Sequence, residues 1–380
     1  MKAIYLDHAA TTPVHPKVVE AMLPVYQDVF GNPSSVHQFG RQARRVLDEA
    51  RRIAARSLNV QEKELIFTSG GTEADNLALI GTAEANRHKG KHIITSRIEH
   101  HATLHAAEHL ERRGFEVTYL PVNDQGVIAV EDVQEHLRDD TIVVSIMMVN
   151  NETGVMQPIQ EIADLVSSHQ AYFHTDAVQA FGTLSIDLQT LPVDMLTISS
   201  HKINGPKGVG LLFVREGTKI DARQHGGEQE RKRRPGTENI PGIKGFATAI
   251  ALMQDEAEYP FNYAQYKRSF LAVLQENGIA FSINGDPDKT VDTIVNISFP
   301  NINVETLLTN LDLSGVAASS GSACTAGSVE PSHVLSAMYA SEDERPVNSI
   351  RFSFGQANTE DDVVEAAHRI SQVVARLRTQ

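Results

Sequence analysis

The chain has 380 residues, 41% hydrophobic and 22% charged, the composition of a soluble globular protein rather than a disordered or fibrous one. That length predicts two or three domains with a large buried core. A formal net charge of −14 argues against a general binder of nucleic acid or anionic membranes, and one cysteine leaves no intrachain disulfide.

Lys2 is followed by only four residues before Asp7, so no signal-peptide core is visible there, and a cytoplasmic location is expected. From about Glu64 to Val214, strand-like runs alternate with helical patterns. Leu65-Ile66-Phe67-Thr68 precedes a helical run from Glu73 to His88. His92-Ile93-Ile94-Thr95 precedes another from Ala102 to Arg113. Further strands are predicted at Val117 to Leu120, Thr141 to Val149, Ala171 to Thr175, Met195 to Ile198 and Val209 to Val214. The longest near-apolar stretch, Ile142 to Val149, suits a buried strand and is far short of a membrane span. The alternation predicts an α/β fold: a mostly parallel sheet covered by helices, with ligands at the carboxyl ends of its strands.

After Tyr259-Pro260 the pattern changes. A helix from about Tyr263 to Asn277 leads to strands near Thr293 to Ser298, Val316 to Ser319 and Ser349 to Phe354, and Thr359 to Arg378 closes the chain. This reads as a smaller α+β domain. The expected division is a large domain over 14–259 and a small domain over 1–13 plus 260–380.

Two segments carry the chemistry. His174-Thr175-Asp176 ends a buried strand on a carboxylate, and Ser199-Ser200-His201-Lys202-Ile203-Asn204-Gly205 runs from a strand into a glycine turn that presents a lysine. Such a lysine forms a Schiff base with an aldehyde cofactor, and such an aspartate keeps a pyridinium nitrogen protonated. That is the chemistry of pyridoxal 5'-phosphate (PLP). A surface lysine in a turn and an aspartate capping a helix would explain either piece alone, but not both together. Thr68-Ser69-Gly70-Gly71-Thr72-Glu73 reads as a glycine turn into a helix, where backbone amides and the helix dipole receive a phosphate. Capping of that helix by Thr72 accounts for the same residues. Ser199 and His201 are further phosphate donors. His101, His105 and His109 share a helical face without a carboxylate motif, which reads as a solvated face, and no metal is expected. The run Arg231-Lys232-Arg233-Arg234 reads as an exposed loop.

These motifs, in this order, resemble the fold-type I PLP enzymes of the class-V aminotransferase family, in the branch of the NifS/IscS cysteine desulfurases. The likeness begins at Tyr5-Leu6-Asp7-His8-Ala9-Ala10-Thr11-Thr12-Pro13 and runs through Phe30-Gly31-Asn32-Pro33 and His225-Gly226-Gly227 to Arg351. It implies that His100 stacks on the cofactor ring, and that Asn151 and Gln179 contact the cofactor's 3-oxygen and the substrate. It implies a homodimer in which Thr237, within Pro235-Gly236-Thr237-Glu238-Asn239, completes the partner's phosphate site. Arg351, an arginine within an otherwise apolar strand, suits an α-carboxylate clamp, as the resemblance also implies; a structural salt bridge is the alternative. Ser319-Ser320-Gly321-Ser322-Ala323-Cys324-Thr325 matches the nucleophile loop of that branch. Two departures stand out: Glu228 replaces a glycine of some relatives, and the tail after the last helix is short, which favours a tRNA thiouridylase over an iron–sulfur scaffold as sulfur acceptor.

The expected activity is removal of sulfur from L-cysteine. Lys202 moves the Cα proton, Asp176 serves the ring nitrogen, and His100 assists proton transfer. Cys324 takes the sulfur as a persulfide for an acceptor protein, leaving L-alanine. A selenocysteine lyase or another fold-type I aminotransferase or lyase is the alternative, and an aminotransferase has no need of Cys324. A non-enzymatic sulfur carrier fits less well with an intact lysine and carboxylate clamp.

Overall fold

The computed structural model describes residues 2–255, 261–320 and 331–379. The chain opens on a short strand, β1 (Ile4–Tyr5), followed by helices Pro16–Asp28 and Gln38–Leu58. Seven strands come next: β2 (Leu65–Thr68), β3 (His92–Ser96), β4 (Glu116–Leu120), β5 (Thr141–Ser145), β6 (Tyr172–Asp176), β7 (Met195–Ser199) and β8 (Gly210–Val214). They form one sheet in the order β2-β8-β7-β6-β5-β3-β4. The pairings from β4 through to β7 are parallel, while β8 runs against both β7 and β2. Every residue of β5 and β7 is buried, because helices cover both faces. Up to their terminal serines, Ser145 and Ser199, their sequences are therefore continuously apolar or β-branched instead of alternating. Leu47, Phe67, Phe173, Phe213 and Phe246 belong to the core beneath these helices.

Beyond the sheet lie β9 (Ser282–Ile283), β10 (Ile294–Ser298), β11 (Val316–Ala317) and β12 (Ser349–Ser353). An antiparallel sheet in the order β12-β10-β9 packs with helices Tyr263–Glu276 and Glu360–Arg378 around Phe270, Phe299 and Phe352. Ile4 and Leu6 join this second core, and β1 pairs in parallel with β11. The first residues are thus held by segments more than 300 positions away, at Val316 and Ala317.

Two elements differ from the sequence expectation. The helix expected from Glu73 to His88 is a helical run of Gly71–Asn76, a π-turn at Leu77–Gly81 and Thr82–Ala85. At Gly81 the carbonyl accepts Asp221 N–H at 3.0 Å, and a Cβ there would lie 2.6 Å from the Asp221 carbonyl oxygen. The backbone of another segment occupies the space a regular helix surface would need. The strand expected to reach Val149 is regular only to Ser145: Ile146 and Met148 N–H still donate to His174 O and Asp176 O of β6 (3.1 and 2.8 Å), but the Met148 carbonyl turns to Gln157 N–H (3.0 Å) and Val149 bridges Met156. Among the described residues no helix is long and apolar enough to cross a membrane.

Candidate active site

The carboxyl ends of the sheet strands converge on one cavity of about 390 Å³. Gly71 and Thr72 enter it from the turn after β2, and His100 from the turn after β3. Asn151 follows β5, Asp176 ends β6 with Gln179 just beyond, and Ser199, His201 and Lys202 follow β7. Arg351 and Ser319 close it from the second sheet, and Ala9 and Ala10 from the N-terminal segment. Gly71 sits at close approach: a Cβ there would lie 3.0 Å from Val178 Cγ2, which would have to give by a few tenths of an ångström.

Lys202 sits in a short 3-10 turn, Ser200–Lys202, that ends β7. Its Nζ donates to the carbonyls of Ala9 and Ala10. Burial, reinforced by the Arg351 charge and opposed by Asp176 and Asp7, lowers its pKa to about 8. The Asp176 carboxyl is buried, and its Oδ1 accepts Val178 N–H at 2.8 Å. Burial raises its pKa to about 6, against the pull of that N–H and of Lys202. At neutral pH it is the anion of the pocket.

His100 caps the helix His101–Arg112: its Nδ1 accepts Ala102 N–H at 3.1 Å. That bond fixes the tautomer with the proton on Nε2. Burial, then the Lys202 charge and three neighbouring imidazoles, lower its pKa to about 4, so the ring is neutral in use. His201, also lowered to about 4 by burial and Lys202, meets Thr11 Oγ1 through Nδ1 at 3.1 Å. Gln179 Nε2 donates to Ala9 O at 2.8 Å. The side-chain oxygens Asn151 Oδ1 and Ser199 Oγ are buried without a protein partner. Orphaned polar atoms facing a cavity are costly unless a ligand satisfies them.

Arg351 lies in β12 at 4% exposure. Its Nη1 donates to Asn151 O at 2.9 Å and its Nη2 to Asp7 Oδ1 at 2.8 Å.

Thr237 does not join this cavity in its own chain; it is exposed and lines a separate cavity behind the Thr68-Ser69 turn. Cys324 lies outside the described residues. The basic run differs from a plain exposed loop. Arg231 and Lys232 are exposed, whereas Arg233 donates to Lys63 O (2.7 Å) and Arg234 pairs with Glu73 (2.8 Å). His101 stacks on His105 at 5.2 Å and meets His333 at 4.7 Å.

Three carboxyl-side features escape sequence reading. Asp7 pairs with Arg351 across almost the whole length of the chain. Asp75, 1% exposed, lines the cavity with Oδ1 lacking a hydrogen bond and 3.6 Å from His174 Nε2, and burial together with Asp176 raises its pKa well above its ordinary value. Its place on the apolar face that includes Ala74 and Ala78 is the one available signal. Glu99 accepts Ser96 Oγ (2.6 Å) and Met147 N–H (3.0 Å), and burial pushes its pKa up to about 8. Folded Glu99 therefore keeps a proton that the unfolded chain releases above its ordinary value of 4.5. Its contribution lowers stability by about 1.4 kcal/mol per pH unit as pH rises through that window, levelling near the folded pKa. Glu99→Gln is expected to lose less stability than the parent between about pH 5 and about pH 8; urea midpoints with equal pH slopes would contradict this.

A buried lysine facing an aspartate at the carboxyl edge of this sheet, with an arginine brought in from a second sheet, defines a PLP-dependent enzyme of fold-type I. The chain belongs to the class-V aminotransferase family, whose profile matches residues 4–365. It is 48% identical to the cysteine desulfurase IscS of Methanosarcina thermophila over 377 residues, 99% of this chain and 93% of that one. Among solved structures it resembles a NifS-like protein (TM-score 0.91, 35% identity, covering 98% of this chain and 100% of that one). It also resembles SspA in complex with cysteine (TM-score 0.82, 36% identity, covering 92% and 98%).

Proposed function

We propose that this chain is a cysteine desulfurase, using PLP to take sulfur from L-cysteine and leave L-alanine and a persulfide on Cys324. The observation that carries the reading is the convergence of Lys202, Asp176 and Arg351 on one cavity, in a chain whose relatives are named for this activity. The cavity suits the cofactor. Ser199 Oγ has no protein partner, Gly71 leaves room at the turn, and Asp176 is an anion placed away from bulk water. Gly71, Thr72, Ser199 and His201 would hold the phosphate, His100 the ring face, Asp176 the ring nitrogen, and Asn151 and Gln179 the 3-oxygen side. When bound, PLP supplies an electron sink for charge developing at the substrate Cα.

The chain's own groups do the rest. Arg351 receives the α-carboxylate, with Asn151 beside it. Lys202, with a pKa of about 8, is half unprotonated only at about pH 8, yet carries far more free amine near neutrality than an ordinary lysine, and it takes the Cα proton as a general base. Neutral His100 presents Nε2–H to the cavity as a hydrogen-bond donor. The Cys324 thiolate attacks the substrate sulfur: an S–S bond forms as the Cβ–S bond breaks, the electron pair stays on carbon, Cβ takes up the proton that the Cys324 thiol released, and Cα recovers the one held by Lys202, giving alanine.

A homodimer is part of the proposal. Val19, Leu23, Tyr26, Phe30, Val36 and Phe39 expose 45–89% of their surface on the two N-terminal helices and the segment joining them, an apolar area suited to a second copy. The exposed Thr237, outside its own chain's cavity, fits delivery to the phosphate end of the partner's site. The acceptor is a protein thiol, of an iron–sulfur scaffold or of a tRNA-thiolation enzyme. A cytoplasmic location suits a sole cysteine that must cycle between thiol and persulfide. The test is product analysis with L-cysteine and a reductant. Alanine and sulfide are expected in equal amounts and without any keto acid; alanine formation that requires a keto acid, with no sulfide, would establish an aminotransferase instead.

A further inference from the structure

The Arg351 guanidinium has partners within its own chain. Both terminal nitrogens donate, one to Asn151 O and one to Asp7 Oδ1, and Nε is buried with no partner. Asp7 is itself held in place: its backbone bridges Ser353 at the end of β12, and its carbonyl accepts the N–H groups of Ala10 and Thr11. Its side chain is about one-fifth exposed (21%), against 5% for that of Arg351. An arginine this buried requires a counter-ion, because an uncompensated interior charge is costly. Yet a two-pronged grip on an α-carboxylate needs adjacent N–H groups that are free to donate. Two carboxylates meeting at one guanidinium repel each other.

We infer that Asp7 is a resident counter-ion of Arg351 that the substrate's α-carboxylate displaces, so that Asp7 sets how strongly the site selects ligands carrying a carboxylate. The inference rests on the reading of Arg351 as the carboxylate clamp. Asp7 is a positioning residue that acts through Arg351: it keeps the guanidinium neutralised and oriented in the free enzyme, and it weakens every carboxylate ligand by competing with it. A ligand with an amine but no carboxylate leaves the Asp7–Arg351 pair untouched.

The test compares L-alanine with ethylamine, neither of which carries sulfur, by equilibrium titration of the visible absorbance of the PLP-loaded protein. Asp7→Asn keeps the size and one oxygen and removes the charge. It is expected to tighten L-alanine about three- to tenfold relative to ethylamine, which carries whatever the lost charge does at Lys202. Asp7→Ser is held to the same shift, so the result does not depend on one variant folding. Asp7→Glu, which keeps the charge, is expected to leave L-alanine untightened. Unchanged or weaker L-alanine binding in the folded neutral variants, or equal tightening in Asp7→Glu, would overturn the inference. Arg351→Gln separates this from the clamp itself. It is expected to weaken L-alanine by more than about tenfold relative to ethylamine. If it does so while the Asp7 variants do not tighten, only the Asp7 inference falls; if it does not, the clamp reading falls and this inference with it.

Discussion

Lys202→Ala is expected to lose measurable turnover of L-cysteine, a drop of at least about 10⁴-fold, together with the yellow colour of the purified protein. No other group of the cavity can take over. His100 is neutral with its Nδ1 tied to Ala102 N–H, and Arg351 is a donor-only guanidinium held by Asn151 O and Asp7. The same amine sets a pH dependence. Its pKa of about 8 means that capture of added PLP by cofactor-free protein accelerates up to about pH 8 and then levels off. An ordinary lysine would keep accelerating past about pH 10. Stopped-flow absorbance at a series of pH values reads this directly, and a rate still climbing above about pH 9 would contradict the lowered pKa. Retained turnover in Lys202→Ala would remove the lysine from the chemistry.

Asp176→Asn is expected to cut turnover by about 10²–10³-fold while the protein still binds PLP. The amide keeps the shape and the bond from Val178 N–H but cannot hold a proton on the ring nitrogen by charge. The surroundings sustain that charge only at this position. Asp75 and Glu99 stand close behind, yet burial favours their neutral forms, which leaves Asp176 as the pocket's anion. Cofactor content by absorbance and steady-state rates separate the two effects. Turnover within about tenfold of the parent would mean that a different group carries the charge.

The sheet was legible because buried parallel strands have a sequence signature, unbroken β-branched runs such as Thr141-Ile142-Val143-Val144. Strand order and the reversal of β8 were not, since register across a sheet is a tertiary property. Residues 146–149 read as strand because they are buried and apolar, and Ile146 and Met148 do still bond β6, but the Met148 carbonyl has already turned to Gln157. In the site, side chains presented by glycine turns or strand ends were legible: Lys202, Asp176, His100 and Arg351. The groups that were missed act through tertiary proximity. The carbonyls of Ala9 and Ala10 that hold Lys202 Nζ have no sequence signature, and Asp7 meets Arg351 across 344 positions. Asp75 looked like an ordinary residue of a helix. Cys324, read from its motif, lies outside the described residues, so its part rests on the motif and the relatives.

The central claim is that sulfur leaves L-cysteine and lands on Cys324. The direct measurement is the intact mass of the purified PLP-loaded protein after exposure to L-cysteine without reductant. The expected result is a gain of one sulfur that is removed by dithiothreitol and absent in Cys324→Ala. A yellow protein that consumes L-cysteine without that gain, or gains it equally in Cys324→Ala, would contradict the account.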